Sequence, residues 1–363
     1  MHLAQIKLRD FRNYARMEAS FGPGFHLFLG DNAQGKTNIL EAIYLLSTLR
    51  SFRGVNGAQM IRHGQKGYFV GARVVAQSDH DIKLYWSPAE RQASLDGQPV
   101  RKMSDFIGVL RSVVFCSEDL QLIKGPSTRR RRYLDLLLAQ TDPAYLPLLQ
   151  NYSRALRSRN TLLKRQPVDE ISLEAFTHEL VRSGEKIIQC RIELLPRLSP
   201  LARLAFRRVS RGAEELTLEY QPSAPGDFKS ALARSRPRER VFRSTVVGPH
   251  RDELDLRLDG QPAAKFASEG QKRSLAIALK MAQAEYLTGI HGSPPVLLID
   301  DVMGELDAHR RAAFLPMLDR VDGGRGQVFM TCTEQSWPEE LGRKLQKWSV
   351  KGGAIRPLGK DGT

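Results

Sequence analysis

The stretch from Gly24 to Leu46 constrains the fold of this chain of 363 residues more than any other. Gly24-Phe25-His26-Leu27-Phe28-Leu29 is an apolar run that reads as a buried strand ending at Gly30. Gly30-Asp31-Asn32-Ala33-Gln34-Gly35-Lys36-Thr37 then fits G-x-x-x-x-G-K-[ST] in full. Ile39, Ala42, Ile43 and Leu46 follow at helical spacing. Strand, loop and helix together separate a phosphate cradle from a glycine-rich turn. The glycines let backbone N–H groups converge on phosphate oxygens, and the helix start adds its positive end. Lys36 supplies a point charge for the β- and γ-phosphates, and the Thr37 hydroxyl is a candidate Mg2+ ligand. All eight residues, Gly30 to Thr37, are therefore candidate ATP-phosphate contacts. ATP and Mg2+ are the expected cofactors.

Such a loop needs a carboxylate near its metal. Val296-Leu297-Leu298-Ile299 reads as a buried strand that ends in Asp300-Asp301. Asp300 is expected to hold Mg2+, directly or through water, leaving Asp301 as the catalytic carboxylate that orients or deprotonates a water. Ser268-Glu269-Gly270-Gln271 precedes a helical pattern at Leu275, Ala278, Leu279 and Ala282. Ser268 and Gln271 have the spacing of a capping box. The same four residues resemble the signature motif of ABC-type ATPases, and Gly304-Glu305-Leu306-Asp307 resembles their D-loop. The order of P-loop, signature, acidic strand and D-loop is that of the superfamily. The resemblance implies two heads face to face, with Ser268, Gly270 and Gln271 acting in trans on the nucleotide of a second copy. Asp307 is then expected at the dimer interface. Physically, the signature is another anion site at a helix start.

The pattern predicts an α/β fold: an ABC-type P-loop ATPase head with an inserted, mostly helical second lobe. Residues 67–100 alternate as strands do, with Asp96-Gly97 as a two-residue hairpin turn. Apolar positions then take helical spacing at Tyr133, Leu134, Leu137 and Leu138, at Leu173, Phe176 and Leu180, and from Ile187 to Leu195. A basic segment, Pro200–Arg211, and a loop at Gln221–Gly226 follow. After about residue 244 the α/β pattern returns, with Gln327–Thr331 as a further strand. The expected division is a split head, 1–118 and 244–363, around a lobe spanning 119–243. Leu-Asp-Gly-Gln-Pro occurs at Leu95–Pro99 and Leu258–Pro262, which reads as one turn chemistry used twice.

The net charge of +15 suggests a polyanionic partner, most simply nucleic acid. Arg154, Arg157 and Arg159, near Lys164 and Arg165, are the candidate DNA contacts. Arg203, Arg207, Arg208 and Arg211 form a second basic cluster. No apolar run approaches the ~20 residues that span a bilayer, and the first residues lack a signal-peptide pattern, so the cytoplasm is the expected compartment. Cys116, Cys190 and Cys332 lack zinc spacing and read as free, buried thiols.

The flanking residues resemble the RecF family of bacterial DNA replication and repair proteins along nearly the whole chain. The matches include Leu8-Arg9-Asp10-Phe11-Arg12-Asn13-Tyr14, Lys36 to Ile43, Ser51-Phe52-Arg53, Gly125-Pro126 with Arg129 to Asp135, Gly248-Pro249-His250-Arg251-Asp252, and Asp300-Asp301 followed by Glu305-Leu306-Asp307. The resemblance implies an ATP-dependent homodimer that binds single-stranded, gapped or duplex DNA in recombinational repair and replication restart. It implies action with RecR and RecO to help load RecA at single-strand gaps, and a link to the SOS response. ATP hydrolysis would be slow and DNA-dependent, a switch rather than metabolism. Gly304 stands where the family usually has Ser. Thr331 or Thr333 lies where transporters carry a switch histidine, and Glu118, Asp119 and Gln121 all lie near the expected Q-loop position. A transporter ATPase subunit is the alternative, but its signature normally follows the P-loop far more closely. A P-loop kinase would not need the signature or D-loop, and a chromosome-organising coiled coil would need long heptad arms.

Overall fold

The computed structural model describes residues 1–210, 212, 214–302, 304, 306–307, 309–314, 326–332 and 345–358. Arg211, Glu305 and Thr333, singled out from the sequence, lie outside the described residues. The chain begins with strands β1 (His2–Phe11), β2 (Tyr14–Ser20) and β3 (Gly24–Leu29), then helix α1 (Lys36–Thr48). Strands β4 (Tyr68–Val75), β5 (His80–Trp86), β6 (Arg91–Leu95), β7 (Gln98–Pro99) and β8 (Ser112–Phe115) follow. Helices α2 (Gln121–Lys124), α3 (Ser127–Thr141), α4 (Tyr145–Leu163) and α5 (Glu170–Val209) lead to β9 (Leu216–Gln221) and α6 (Phe228–Phe242). Then come β10 (Glu253–Leu258), β11 (Gln261–Pro262), α7 (Ala263–Phe266) and α8 (Glu269–His291). Strands β12 (Val296–Asp300), β13 (Gln327–Cys332), β14 (Leu345–Lys351) and β15 (Ala354–Pro357) end the described chain.

Contacts divide the chain into two compact units. The first comprises Met1–Asp119, Arg208–Arg211 and Ile277–Thr363. It holds two six-stranded sheets. One is antiparallel, in the order β2-β1-β4-β5-β6-β7. The other runs β15-β14-β3-β13-β12-β8 and is parallel except for β15. Its central strands are apolar because both faces are covered. The four interior residues of β3, Phe25 to Phe28, are buried, as is all of β13. The buried Gln327 side chain ties the sheets together, accepting from Leu3 N and donating to the Leu3 and Gly22 carbonyls. Burial lowers the His26 pKa to about 4, so its ring is neutral where it stacks on Phe329.

Helix α1 is buried well beyond the four-residue stripe legible in its sequence, including Leu40, Glu41, Tyr44 and Leu45. Glu41 is fully buried because Arg12 grips both carboxylate oxygens at 2.7 and 2.8 Å. Both Leu-Asp-Gly-Gln-Pro segments form the same turn. Leu95 pairs with Gln98 and Leu258 with Gln261, and all four central residues have positive φ.

The second unit comprises Leu120–Arg207 and Gly212–Ala276. The sequence boundary at 243/244 falls inside it, because β10 pairs antiparallel with β9 from Glu253↔Gln221 to Leu258↔Leu216. Neither β9 nor this three-stranded β11-β10-β9 sheet was legible in a lobe read as mostly helical. Several of the lobe's arginines make internal links. Arg130 forks onto Glu253 at 2.7 and 2.8 Å, and Arg131 donates to the Asp252 carbonyl. Arg191 donates to Asp135 and to the Pro249 carbonyl. The basic segment from Pro200 is largely the end of the 40-residue helix α5. Cys116 and Cys332 are buried as expected, but Cys190 is only partly covered. No helix among the described residues is long and apolar enough to cross a membrane.

Candidate functional site

Parallel pairing puts the carboxyl ends of β3, β13, β12 and β8 along one edge, where open α/β sheets bind ligands. The register aligns Leu29 with Cys332, Thr331 with Asp300, and Ile299 with Phe115. The phosphate loop therefore leaves β3 one strand away from the acidic end of β12, with Thr331 of β13 between them. Gly30, Ala33 and Gly35 all take positive φ, which curls the loop. A side chain at Gly30 would collide with the Val350 carbonyl. One at Gly35 would lie 2.7 Å from Asn13 Nδ2 and 2.9 Å from the Tyr14 hydroxyl. These two glycines thus permit close approach as well as the turn.

Asn13 and Tyr14, at the β1–β2 turn, brace the loop from outside. Asn13 Nδ2 donates to the Gln34 carbonyl at 2.8 Å, and the Tyr14 hydroxyl donates to the Gly35 carbonyl at 3.1 Å. Asn38 Nδ2 donates back to Asn13 Oδ1. Beside Asn13, Gly352 N donates to Gln34 Oε1 at 2.7 Å. Sequence reasoning gave none of these residues a role at the loop. The available signal was an Asn-Tyr pair at a tight turn, within a segment matched only by resemblance.

The Lys36 side chain is buried, and its ammonium donates to the Gly30 and Asp31 carbonyls. The Thr37 hydroxyl donates to Asp300 Oδ1 at 2.8 Å. Thr331 donates to the same oxygen at 2.8 Å, while its own Oγ1 accepts from Asp301 N at 3.0 Å. Burial raises the Asp300 pKa, opposed by both threonine hydrogen bonds and reinforced by the charges of Glu118 and Asp301. A hydroxyl and a part-buried carboxylate crowded by negative charge form a hard-oxygen donor set suited to Mg2+. Asp301 differs from its neighbour: its carboxylate is on the exposed side, and its backbone is held at φ 56.

Of the three candidates near the Q-loop position, Asp119 accepts from Cys116 N and pairs with buried Lys280 at 3.4 Å. That ion pair gives Asp119 a structural task. Exposed Glu118 is the one whose charge reaches Asp300. Gln121 belongs to the second unit. Thr331 occupies the strand position suggested for a switch residue and bridges the two aspartates.

Ser268, Gly270 and Gln271 also lie in the second unit. The capping box forms: Ser268 N donates to Gln271 Oε1 at 2.7 Å, and Gln271 N donates to Ser268 Oγ at 3.2 Å. Ser268 remains exposed at the start of α8. Asp307 is exposed and accepts from Arg310 N at 2.9 Å, the geometry of an N-cap.

Two of the three arginines expected at DNA, Arg154 and Arg157, are exposed on α4. Arg159 corrects that expectation. It is fully buried, forks onto Glu239 at 2.6 and 2.9 Å, and donates to Thr177 and Thr245. A guanidinium so enclosed cannot reach a phosphate. His250 is likewise internal, 2.6 Å from the Tyr152 hydroxyl, and burial lowers its pKa to about 4. Arg251 beside it is exposed.

The family model described as the RecF/RecN/SMC N terminal domain matches residues 2–353. The DNA replication and repair protein RecF of Symbiobacterium thermophilum is 38% identical over 360 residues, covering 94% of this chain and 95% of the relative. A solved structure of the recombination mediator protein RecF with ATP, in the RecFOR pathway, superposes with a TM-score of 0.89. It is 30% identical and covers 99% of this chain and 98% of its own. The Smc head domain of Pyrococcus furiosus, with its extended coiled coil, shares the fold at a TM-score of 0.56 and 15% identity.

Proposed function

The chain belongs to the RecF family of DNA replication and repair proteins, and from that membership we propose that it is an ATP-gated DNA-binding protein of recombinational repair. The observation that carries this reading is the intact junction of Lys36, Thr37 and Asp300, in a chain similar to RecF proteins over nearly its full length. The first unit would be the ATPase head, and the second would face DNA and partners. Backbone amides of Gly30 to Thr37 and the Lys36 ammonium would bind the ATP phosphates. Thr37 and Asp300 would hold Mg2+, which when bound offsets charge between the β- and γ-phosphates. Thr331 orients the Asp300 carboxylate and fixes the Asp301 amide, leaving the Asp301 carboxylate free to accept a proton from water.

Ser268, Gly270 and Gln271 of a second copy would complete the site in trans, so ATP closes a homodimer. Joining two weakly binding basic surfaces doubles the phosphate contacts one DNA molecule can make, and hydrolysis releases them. Recombinational repair and replication restart at single-strand gaps, RecA loading with RecR and RecO, a link to SOS induction and action in the cytoplasm, where the bacterial chromosome lies, are the remaining parts of the proposal. The similar RecF structure is that of a mediator in the RecFOR pathway, which supports the partner assignment here.

DNA binding with and without ATP, titrated against salt on gapped, single-stranded and duplex substrates, tests the reading. The expected result is tighter binding with ATP, falling steeply as salt rises. Binding indifferent to ATP on every substrate would reject it. Asp301→Asn should bind ATP with near wild-type affinity and hydrolyse it at least ~100-fold more slowly, prolonging the dimer. Single-turnover hydrolysis at the wild-type rate would remove Asp301 from the chemistry. Ser268→Arg should leave monomer ATP binding intact and abolish ATP-dependent dimerisation. Its lost cap costs only about 1 kcal/mol, so a melting curve separates that effect from the interface. A normal dimer by light scattering would reject action in trans.

A further inference from the structure

The end of the second unit where α5 begins and α6 finishes carries an apolar cluster among arginines. Ile171 is 87% exposed, Val241 78% and Phe242 61%. Ion pairs bring these residues to one place. Arg240 donates to Glu170 at 2.7 Å, and Arg236 bridges Glu170 and Glu174, holding the first turn of α5 against the last turns of α6. Thr245 donates twice to Asn160 Oδ1, both at 2.8 Å, which adds the end of α4. The backbone after Phe242 is set by Arg243, which takes φ 49 and returns its amide to the Glu239 carbonyl. The ring is therefore presented from a capped helix end.

Along α6 the charge is one-sided, while Glu170 and Glu174 of α5 are matched by Arg236 and Arg240. Segment 228–243 contains six Lys or Arg and a single acid, Glu239, which is buried under Arg159. Arg238 and Arg243 are exposed, and among the described residues neither makes an ion pair. Lys164 and Arg165, just beyond α4, are exposed as well. An open aromatic ring between free guanidiniums matches one kind of partner well. Single-stranded DNA offers unpaired base faces and phosphates together, whereas a duplex hides its base faces in the stack.

We propose that this tip is a single-strand DNA contact, in which Phe242 stacks on an unpaired base while Arg238 and Arg243 neutralise the flanking phosphates. The proposal rests on the DNA-binding reading above and adds a residue-level preference for unpaired strands. The test uses the full chain and fluorescence anisotropy on three probes: a short oligothymidine, the same length of abasic strand, and a duplex. Phe242→Ala should weaken oligothymidine binding about tenfold and leave the abasic strand and duplex within twofold. The Arg238→Gln, Arg243→Gln double variant should weaken both single strands and lower the salt slope by about 1.4. Phe242 is mostly exposed, so unchanged melting temperatures should accompany both variants. Failure of the unmodified chain to bind any probe would overturn the DNA-binding reading itself. Robust DNA binding unaffected by either variant would overturn only this site. Binding to anionic phospholipid vesicles that is lost in Phe242→Ala while oligothymidine binding persists would reassign the tip to a membrane surface.

Discussion

Lys36→Ala is expected to weaken ATP binding at least ~30-fold, measured by calorimetry on the nucleotide alone. The Lys36 side chain is buried, with its stem inside the fold and its ammonium against the loop carbonyls of Gly30 and Asp31. No other side-chain cation of the motif enters the loop. Removing one partner of a buried, hydrogen-bonded charge pair costs about 2–5 kcal/mol, roughly 30- to several-thousand-fold in affinity. The braces from Asn13, Tyr14 and Gly352 do not involve Lys36, so the loop should keep its shape and the loss should fall on binding. Affinity within threefold of the unmodified chain would remove the loop from the phosphate site.

The largest stability effect is expected at Arg159. Arg159→Ala should destabilise the protein by about 3–5 kcal/mol in urea titrations, because Glu239 would be left buried and charged without its partner. The double variant Arg159→Met, Glu239→Leu should recover most of that loss, since it removes both charges and keeps apolar volume. Arg154→Ala and Arg157→Ala, on the exposed side of the same helix, should each stay within about 0.5 kcal/mol. A cost below about 1 kcal/mol for Arg159→Ala would mean that the pair contributes little to the lobe.

That contrast shows where the sequence was legible and where it was not. Arg154 and Arg157 are three apart and share a helix face, but Arg159 is two further on and turns inward. It lines up with Tyr152, Ala155 and Leu162, all buried. The apolar stripe of α4 thus contained the signal, and counting arginines by proximity in sequence obscured it. The phosphate loop was readable because strand, turn and helix are local. The Asp300-Asp301 pair was readable as the polar end of an apolar run. That Thr37 and Asp300 meet across 263 residues depends on the register of β3, β13 and β12, which no local pattern encodes. The same holds for β9 and β10. Their alternation is legible only once paired, so the sequence pattern puts the lobe boundary at 243/244, whereas the second unit runs to Ala276. The capping box at Ser268 shows that a signature-like motif also serves its own helix, and Asp307 shows the same of the D-loop-like segment, which caps the backbone at Arg310.

In the proposed function, ATP is the joint between two copies of this chain. Light scattering of the purified chain with Mg2+, before and after saturating ATP, tests it most directly. The expected mass is near 40.8 kDa without nucleotide and twice that value with it. A mass that stays at 40.8 kDa while calorimetry shows ATP bound would contradict it.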